Sequence, residues 1–532
     1  MLVGGLFGLL VALTRWPAVH LLDADLFYLA LTAHGLDVLL VWCIFFEIAL
    51  LYFTSAILLN ARMVFPKIAW IGYWMMLIGA VITNIAVLRG DSSVMFTSYP
   101  PMMAAQDFYL GIILFAVGAL LGCLVFFATL HMARKEKTYE GSIPLVTFGA
   151  MTAAIIAVFT ILSGAIILVP TWFWSLGLLS HIDTIMYRVI WWGMGHSSQQ
   201  VNVAAQIACW YAIAAILFGA KPLSEKVSRT AFLLYILFLQ LASAHHLLVD
   251  PGLSSEYKIF NTSYALYLAV LGSMIHGLTV PGAIEAAQRK KGLNKGLFEW
   301  LTKAPWGNPV FAGMALSVVL FGFLGGISGV MMGTEQLNLI THNTIYVPGH
   351  FHGTVVVGTT LTFMAISYWI VPTLWQKELV FPGLAKWQPY LFGIGMGLAA
   401  TFMMGAGTLG VPRRHWDMTF ADSAMGYDFP AAANLMMGLN GVAAVMGSIG
   451  AAIFILNMVG TILWGKAKVP AAAAPAEEAP AEPNVTGAAT SYGSAGTMEV
   501  PGTFVLAMIF LVSFVLYYFV NWKYLSSVWG LS

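Results

Sequence analysis

The sequence predicts an all-α protein of the polytopic membrane class, with a bundle of about twelve spanning helices and one tethered C-terminal helix. Hydrophobic residues make up 60% of the 532 residues, and charged residues only 9%. The mean hydropathy is +0.83, a value typical of chains that lie mostly within a bilayer. Apolar runs long enough to cross a membrane recur along the whole chain.

Thirteen apolar segments are predicted as spans. The first is short, and because no basic residues precede it, it is not predicted to be a cleaved signal peptide. The segments cover residues 2–16, 26–58, 68–88, 106–131, 145–169, 184–219, 231–248, 262–284, 309–332, 344–374, 389–409, 433–463 and 503–521.

Charge predicts the orientation of these spans. Most of the 24 Lys and Arg residues lie in the even-numbered loops, which places those loops and the N-terminus in the cytoplasm and the C-terminus outside. We therefore expect a multi-pass protein of a bacterial or archaeal cytoplasmic membrane. The net charge of +1 gives no support for a nucleic-acid partner, so the expected environment is the lipid bilayer.

Composition divides the chain into three parts. Residues 1–467 form the predicted membrane domain. Residues 468–500 are rich in Ala, Pro, Glu, Gly and Ser and are predicted to be a disordered linker. Residues 501–532 contain a single final span, which is either a fused accessory helix, the interpretation favoured here, or an ordinary last helix after a long loop.

Histidines give the strongest functional signal. Polar side chains are costly within a membrane and usually serve a function there. Of the twelve histidines, the predicted topology places six in the outer half of the bilayer, namely His34, His196, His245, His246, His350 and His352. Residues i and i+2 of a helix point to roughly opposite sides, so His350 and His352 are expected to serve two different centres.

The local sequences around these histidines resemble the catalytic subunit of the heme–copper oxidase superfamily. Trp-Trp-Gly-Met-Gly-His occupies positions 191–196, and Val-Pro-Gly-His-Phe-His occupies 347–352. Further matching stretches lie at 32–35, 244–246, 342–346 and 410–414, while 98–101 and 245–252 resemble the B-type branch. The resemblance implies the subunit I fold over the first twelve spans, and a final helix like the one-helix accessory subunit of that branch.

The resemblance also implies two hemes and one copper ion. His34 and His352 would ligate a low-spin heme, and His350 a high-spin heme. His196, His245 and His246 would hold copper, which is expected rather than non-heme iron because no glutamate lies near His196 in the sequence.

Other residues are assigned to the surroundings of these groups. Arg413 and Arg414 resemble the pair that binds heme propionates, for which bidentate guanidinium groups are suited, and His342 matches a position beside them. Glu47, an intramembrane carboxylate, and Tyr267 are candidates for proton handling.

One position departs from the oxygen-reducing members. A- and B-type oxidases carry a tyrosine four residues after the first copper histidine, on the same helix face, and here that residue is Gln200. An amide cannot donate an electron as a tyrosine can. Tyr235, about ten residues before the histidine pair, stays open as a substitute.

The missing tyrosine favours a two-electron reaction, the reduction of nitric oxide to nitrous oxide. The alternative is a terminal oxygen reductase that forms water, with or without proton pumping. A third interpretation, a heme sensor or electron conduit, is disfavoured by the complete set of copper histidines. Because the chain lacks copper-thiolate and heme-attachment motifs, electrons are expected from a membrane-anchored cupredoxin-like or cytochrome c partner on the outer face.

Overall fold

The computed structural model describes residues 1–239, 241–420, 424, 426–468 and 499–528. Within these residues every regular element is helical, and the remaining backbone pairing consists of two isolated bridges, Thr344 with Pro412 and Lys377 with Ala467. The predicted all-α membrane fold is therefore confirmed.

Thirteen helices follow the order of the predicted spans. Six form the first half: α1 Leu2–Thr14, α2 Ala24–Ile57, α3 Pro66–Leu88, α4 Gln106–Glu136, α5 Leu145–Ser175 and α6 Thr184–Phe218. The seventh, α7, is broken into an α-helix Glu225–Leu234, a π-helical turn Tyr235–Leu239 and a 3₁₀ turn Ala242–His246. The rest are α8 Ser255–Lys290, α9 Pro309–Gly333, α10 Tyr346–Leu374, α11 Pro382–Thr408, α12 Ala431–Trp464 and α13 Pro501–Val528.

Eleven of these helices are long and apolar enough to cross a membrane. The two exceptions are α1, which has 13 residues, and α7, which the irregular turns interrupt. Helical segments thus occur at all thirteen predicted positions, but α1 is shorter than a membrane span and α7 is not a regular helix.

Local signals account for many helix ends. The Asp23 carboxylate accepts the N–H of Leu26 at 2.9 Å and so caps α2, and Asp183 does the same for Met186 at the start of α6. Prolines open α3, α9 and α11, where the missing N–H costs nothing.

Small residues allow neighbouring helices to pack closely. A Cβ atom added to Gly79 of α3 would lie 2.5 Å from the carbonyl oxygen of Gly111 in α4, and one at Gly395 of α11 would lie 2.6 Å from the nitrogen of Gly447 in α12. Such contacts supply the van der Waals packing that holds helices together in lipid.

Burial identifies the centre of the bundle. In α6, 83% of the most apolar stretch is buried against protein, and in α10 the share is 72%. These two helices carry three of the six intramembrane histidines, so half of the set is positioned by the most deeply buried helices of the bundle. In α13 the share is only 6%, which places this helix on the periphery.

The predicted linker, residues 468–500, lies almost wholly outside the described residues, since 469–498 are not among them. The final helix α13 is present as predicted. It packs against α8 and α9.

Candidate metal centre

Three histidines converge where α7 meets α6. The potential ligand nitrogens of His196, His245 and His246 all lie within 4.8 Å of one another. Nδ1 of His196 is 3.4 Å from Nε2 of His246. Three imidazoles at this spacing can hold one copper, iron or zinc ion, so the donor set fits the copper ion that the resemblance implies.

The broken geometry of α7 makes this convergence possible. Neighbouring residues on a regular α-helix point about 100° apart, whereas His245 and His246 end a 3₁₀ turn with their ring centroids only 4.2 Å apart. The carbonyl of Ala242 accepts a hydrogen bond from the His245 Nδ1. This hydrogen bond fixes the orientation of the His245 ring and leaves its Nε2 free to bind a metal.

Trp192 supports the cluster and was not predicted. Its ring stacks on His246 with a centroid distance of 3.7 Å and an interplanar angle of 7°. Trp192 lies one turn before His196 on α6, so the i, i+4 spacing in the quoted motif was the signal that could have identified it.

A second pair of histidines faces across the bundle from α2 and α10. The rings of His34 and His352 are nearly parallel, with an interplanar angle of 23° and a centroid separation of 6.2 Å. Two metal–nitrogen bonds of about 2 Å and two ring radii of about 1.1 Å span the same separation. The pair therefore fits a single iron bound between the two rings.

Backbone carbonyls orient both rings of this pair. His34 Nδ1 donates to the Gly4 carbonyl at 2.8 Å, and His352 Nδ1 donates to the Pro348 carbonyl at 2.7 Å. With Nδ1 protonated, Nε2 of each neutral ring carries the lone pair that a metal needs.

His350 faces a different direction from His352, as predicted. Its Nδ1 is 2.9 Å from the Ser328 hydroxyl of α9, while His352 faces α2. A π-helical stretch, His352–Thr360, begins directly after Phe351, which separates the two histidines. Such wide helical turns are frequent at functional sites. Sequence inspection had not identified Ser328.

One cavity connects all six histidines. Its wall is largely apolar and also includes Gln200, Ser273, Arg413 and Arg414. Site residues predicted separately on four helices and one loop are thus brought together. The aromatic and aliphatic lining is the kind of wall that a flat cofactor requires.

The arginine pair lies in the loop that follows α11. Arg413 is held by its own N–H, which donates to the Asn343 carbonyl at 2.8 Å, but its side-chain Nε is buried and has no hydrogen-bond partner among the described residues. Burial, and then the charge of Arg414, lower the pKa of Arg413. A guanidinium whose buried Nε–H lacks a partner favours an anionic group such as a propionate.

His342 lies close to the arginine pair, in the segment before α10. Its Nε2 is 3.7 Å from Asp250 Oδ1, and Asp250 Oδ2 forms an ion pair with Arg188 at 2.9 Å. Burial, and then Arg413, lower the pKa of His342 to about 4. The imidazole is therefore neutral near pH 7.

Gln200 reaches the histidine trio, as the i, i+4 spacing predicted. Its amide nitrogen is 3.1 Å from Nε2 of His196. Turning the amide by 180° would instead offer its oxygen to an Nε2–H group. That orientation leaves Nδ1 of His196, the nitrogen facing His246, without a proton and free to bind a metal.

The two proton-handling candidates do not lie in the cavity wall. Tyr267 is 49% exposed and does not line the cavity, so its part in proton handling stays a prediction. Glu47 is buried, and its Oε1 has no hydrogen-bond partner among the described residues, but it is not among the cavity-lining residues.

A buried polar cluster lies between α6, α7 and α8 instead. The Tyr211 hydroxyl is 3.0 Å from the Ser228 hydroxyl and 2.9 Å from Nδ1 of His276. Nearby, the Tyr235 hydroxyl is 2.8 Å from that of Ser273, a cavity-lining residue. Sequence analysis did not single out Tyr211 or Ser228, because hydroxyl groups at helix contacts are common in membranes.

The sequence is similar to that of known oxidase subunits over most of its length. Residues 1–449 match the protein family described as cytochrome c and quinol oxidase polypeptide I. The cytochrome c oxidase subunit 1 of Thermus thermophilus is 31% identical over 495 residues, which cover 89% of this chain and 84% of the relative. The quinol oxidase subunit 1 of Bacillus subtilis is 22% identical over 442 residues, or 77% of this chain and 63% of the relative.

A solved structure is similar over nearly the whole chain. The cryo-EM structure of a heme–copper terminal oxidase dimer superposes with a TM-score of 0.82 at 26% identity, covering 96% of this chain and 89% of the other. These three relatives are named as oxidases. The comparisons therefore favour the oxidase alternative over nitric oxide reduction, for which none of the three gives specific support.

Proposed function

This chain belongs to the cytochrome c and quinol oxidase polypeptide I family, and from that premise we propose specific metal roles for its histidines. His34 and His352 would hold a low-spin heme, and His350 a high-spin heme. His196, His245 and His246 would hold copper. The nearly parallel ring pair, the converging trio and the partnerless Nε of Arg413 support this assignment.

For the substrate, we propose nitric oxide, on the single observation of Gln200. The position that faces His196 from one turn away carries an amide, which cannot be oxidised as a phenol can. No tyrosine is among the cavity-lining residues in the described part of the chain. Joining two nitric oxide molecules into nitrous oxide and water takes only two electrons and two protons.

The proposed cofactors and the residues around them would have different roles in this reaction. When bound, the high-spin heme and the copper would supply coordination and the two electrons. The Gln200 amide would keep His196 in the tautomer that leaves Nδ1 free for a metal, and the apolar wall would exclude water. Arg413 and Arg414 would bind the propionate carboxylates.

Dioxygen reduction is the second candidate, and the named relatives favour it. It needs four electrons, so another residue would have to supply what the missing tyrosine supplies. Tyr235 is the candidate, because its hydroxyl bonds Ser273 at the cavity wall. Its own ring does not line the cavity, which is why we place this candidate second.

In either case we expect electrons from a cupredoxin-like or cytochrome c partner at the outer face of a bacterial or archaeal cytoplasmic membrane. The histidines lie nearer the end of the bundle that the charge pattern assigns to the outside. The Arg413 loop would lie between such a partner and the cavity.

Gas turnover by the purified complex tests the substrate directly. The enzyme, reduced through an artificial donor, is offered nitric oxide or dioxygen, and we expect rapid nitrous oxide formation with slow oxygen uptake. The variant Gln200→Leu should lower nitrous oxide formation about 10- to 100-fold, as loss of a second contact to a ligand histidine does. The exposed-loop variant Gln376→Leu serves as the matched control.

Fast oxygen uptake to water by the unaltered enzyme would reject nitric oxide as the substrate and favour the second candidate. In that case Tyr235→Phe should abolish oxygen turnover. Equal nitrous oxide rates in Gln200→Leu and the control would remove the role given to the amide.

A further inference from the structure

A fully buried carboxylate sits at the end of α8 that is farther from the histidines. Glu285 has no exposed side-chain surface, and its Oε1 pairs with Arg289 Nε at 2.7 Å, one turn along the same helix. Burying a carboxylate is costly unless its oxygens are fully hydrogen-bonded. The remaining partners of Glu285 therefore show what this site is built to receive.

Those partners come from the first turn of the C-terminal helix. The N–H of Gly502 donates to Oε1 at 2.9 Å, and the N–H of Thr503 donates to Oε2 at 2.6 Å. Backbone N–H groups at the start of a helix lack partners within the helix and favour negative charge. A buried carboxylate on one helix thus caps another helix more than 200 residues away in sequence.

The shape around this contact is equally specific. A Cβ atom at Gly502 would lie 2.7 Å from Nε1 of Trp300, and it would overlap the carbonyl oxygen of Leu297. That same carbonyl accepts the Trp300 N–H at 3.0 Å. Only glycine fits between the loop that holds Leu297 and the carboxylate. We call Glu285, Arg289, Leu297 and Trp300 the socket.

Beyond the socket, α13 lies along the outside of α9 and near the start of α10. Phe510 packs edge-on against Phe323 with ring centroids 5.1 Å apart, and Tyr518 joins the apolar cluster around Tyr346. Most of the helix is otherwise exposed toward lipid. In a bilayer, lipid can replace such apolar contacts at little cost, so the polar socket supplies the specificity.

We propose that the Glu285 socket is a recognition site for the first turn of α13, and that it binds this helix without help from the covalent connection. The helix would stay bound after its covalent connection through residues 469–498 is cut. This proposal does not depend on whether the substrate is nitric oxide or dioxygen.

The test uses the full chain with a protease site inserted among residues 469–498 and an affinity tag at the N-terminus. After solubilisation in mild detergent and cleavage, the fraction of C-terminal fragment that copurifies with the bundle is measured. We expect nearly complete retention for the unaltered sequence. Glu285→Ala leaves two buried N–H groups without partners and should lower retention at least about tenfold.

A second variant separates recognition from folding of the bundle. Gly502→Ala changes only the C-terminal helix, and steric overlap in the socket should release the fragment while the bundle keeps its absorption spectrum. The matched control is Gly383→Ala, since Pro382-Gly383 opens α11 as Pro501-Gly502 opens α13, yet a Cβ atom at Gly383 meets nothing within 4 Å.

Two results would overturn the proposal. One is loss of the fragment from the unaltered bundle upon cleavage, which would mean that the covalent connection alone keeps α13 in place. The other is equal retention in Gly502→Ala, Glu285→Ala and the control, which would mean that lipid-facing contacts hold the helix and the socket does not recognise it.

Discussion

The histidine pair and the histidine trio are supported in different ways. His34 and His352 are each held by a backbone carbonyl, from Gly4 and Pro348. The trio relies more on side chains, namely the Trp192 ring on His246 and the Gln200 amide at His196. A backbone support depends on the local helix path, whereas a side-chain support depends on the identity of a single residue. The two regions should therefore respond to different substitutions.

Removing one histidine from each region gives the largest expected effect. His352→Ala should abolish the low-spin heme signal and keep the copper, while His245→Ala should lose copper and keep the low-spin signal. Each substitution should reduce turnover by more than about 100-fold, because removing only a residue that hydrogen-bonds a ligand already costs up to about 100-fold. Visible absorption and metal analysis check the outcome, with the exposed His181→Ala as control. If both variants lost the same cofactor, the histidine pair and the histidine trio would belong to one centre and the assignment of two centres would be wrong.

Backbone shape at the pair can be changed without touching a ligand. A Cβ atom at Gly8 of α1 would lie 2.6 Å from the His34 ring, whereas one at Gly5 of the same helix meets nothing within 4 Å. Gly8→Ala should push the ring away and weaken binding at the pair about 10- to 100-fold. Gly5→Ala should leave the low-spin spectrum unchanged. If both variants keep that spectrum, α1 does not set the position of His34.

The contrast between pair and trio also explains what the sequence could predict. Hydropathy and histidine spacing were sufficient for the all-α bundle, for the opposite directions of His350 and His352, and for Gln200 facing His196. They could not predict the 3₁₀ turn at His245 or the π-helical stretch after His352, because tertiary packing produces those deviations from a regular helix. Trp192, Ser328 and Gly8 were missed because their contacts lie on other helices or depend on ring orientation.

We expect proton supply to use a third region, the buried polar cluster around Tyr211. The His276 ring of this cluster lies 5.7 Å from that of Tyr235, whose hydroxyl bonds Ser273 in the cavity wall. The sequence pointed to Tyr267 on α8, but that residue faces outward, while Tyr211 on α6 joins Ser228 to His276. Tyr211 lies 15 positions after His196 on one helix, or about 22 Å, which suits a relay from the far end of the bundle and excludes a direct role at the metal.

Tyr211→Phe keeps the ring and removes only the bridging hydroxyl. We expect turnover to fall about three- to tenfold, less than for an acid or base that acts on the substrate itself, with heme and copper contents unchanged. Tyr267→Phe, the matched control, should have full turnover. Unchanged turnover in Tyr211→Phe would show that protons reach the cavity by another route, for which Glu47, buried in α2 with an unpaired Oε1, would be the next residue to replace.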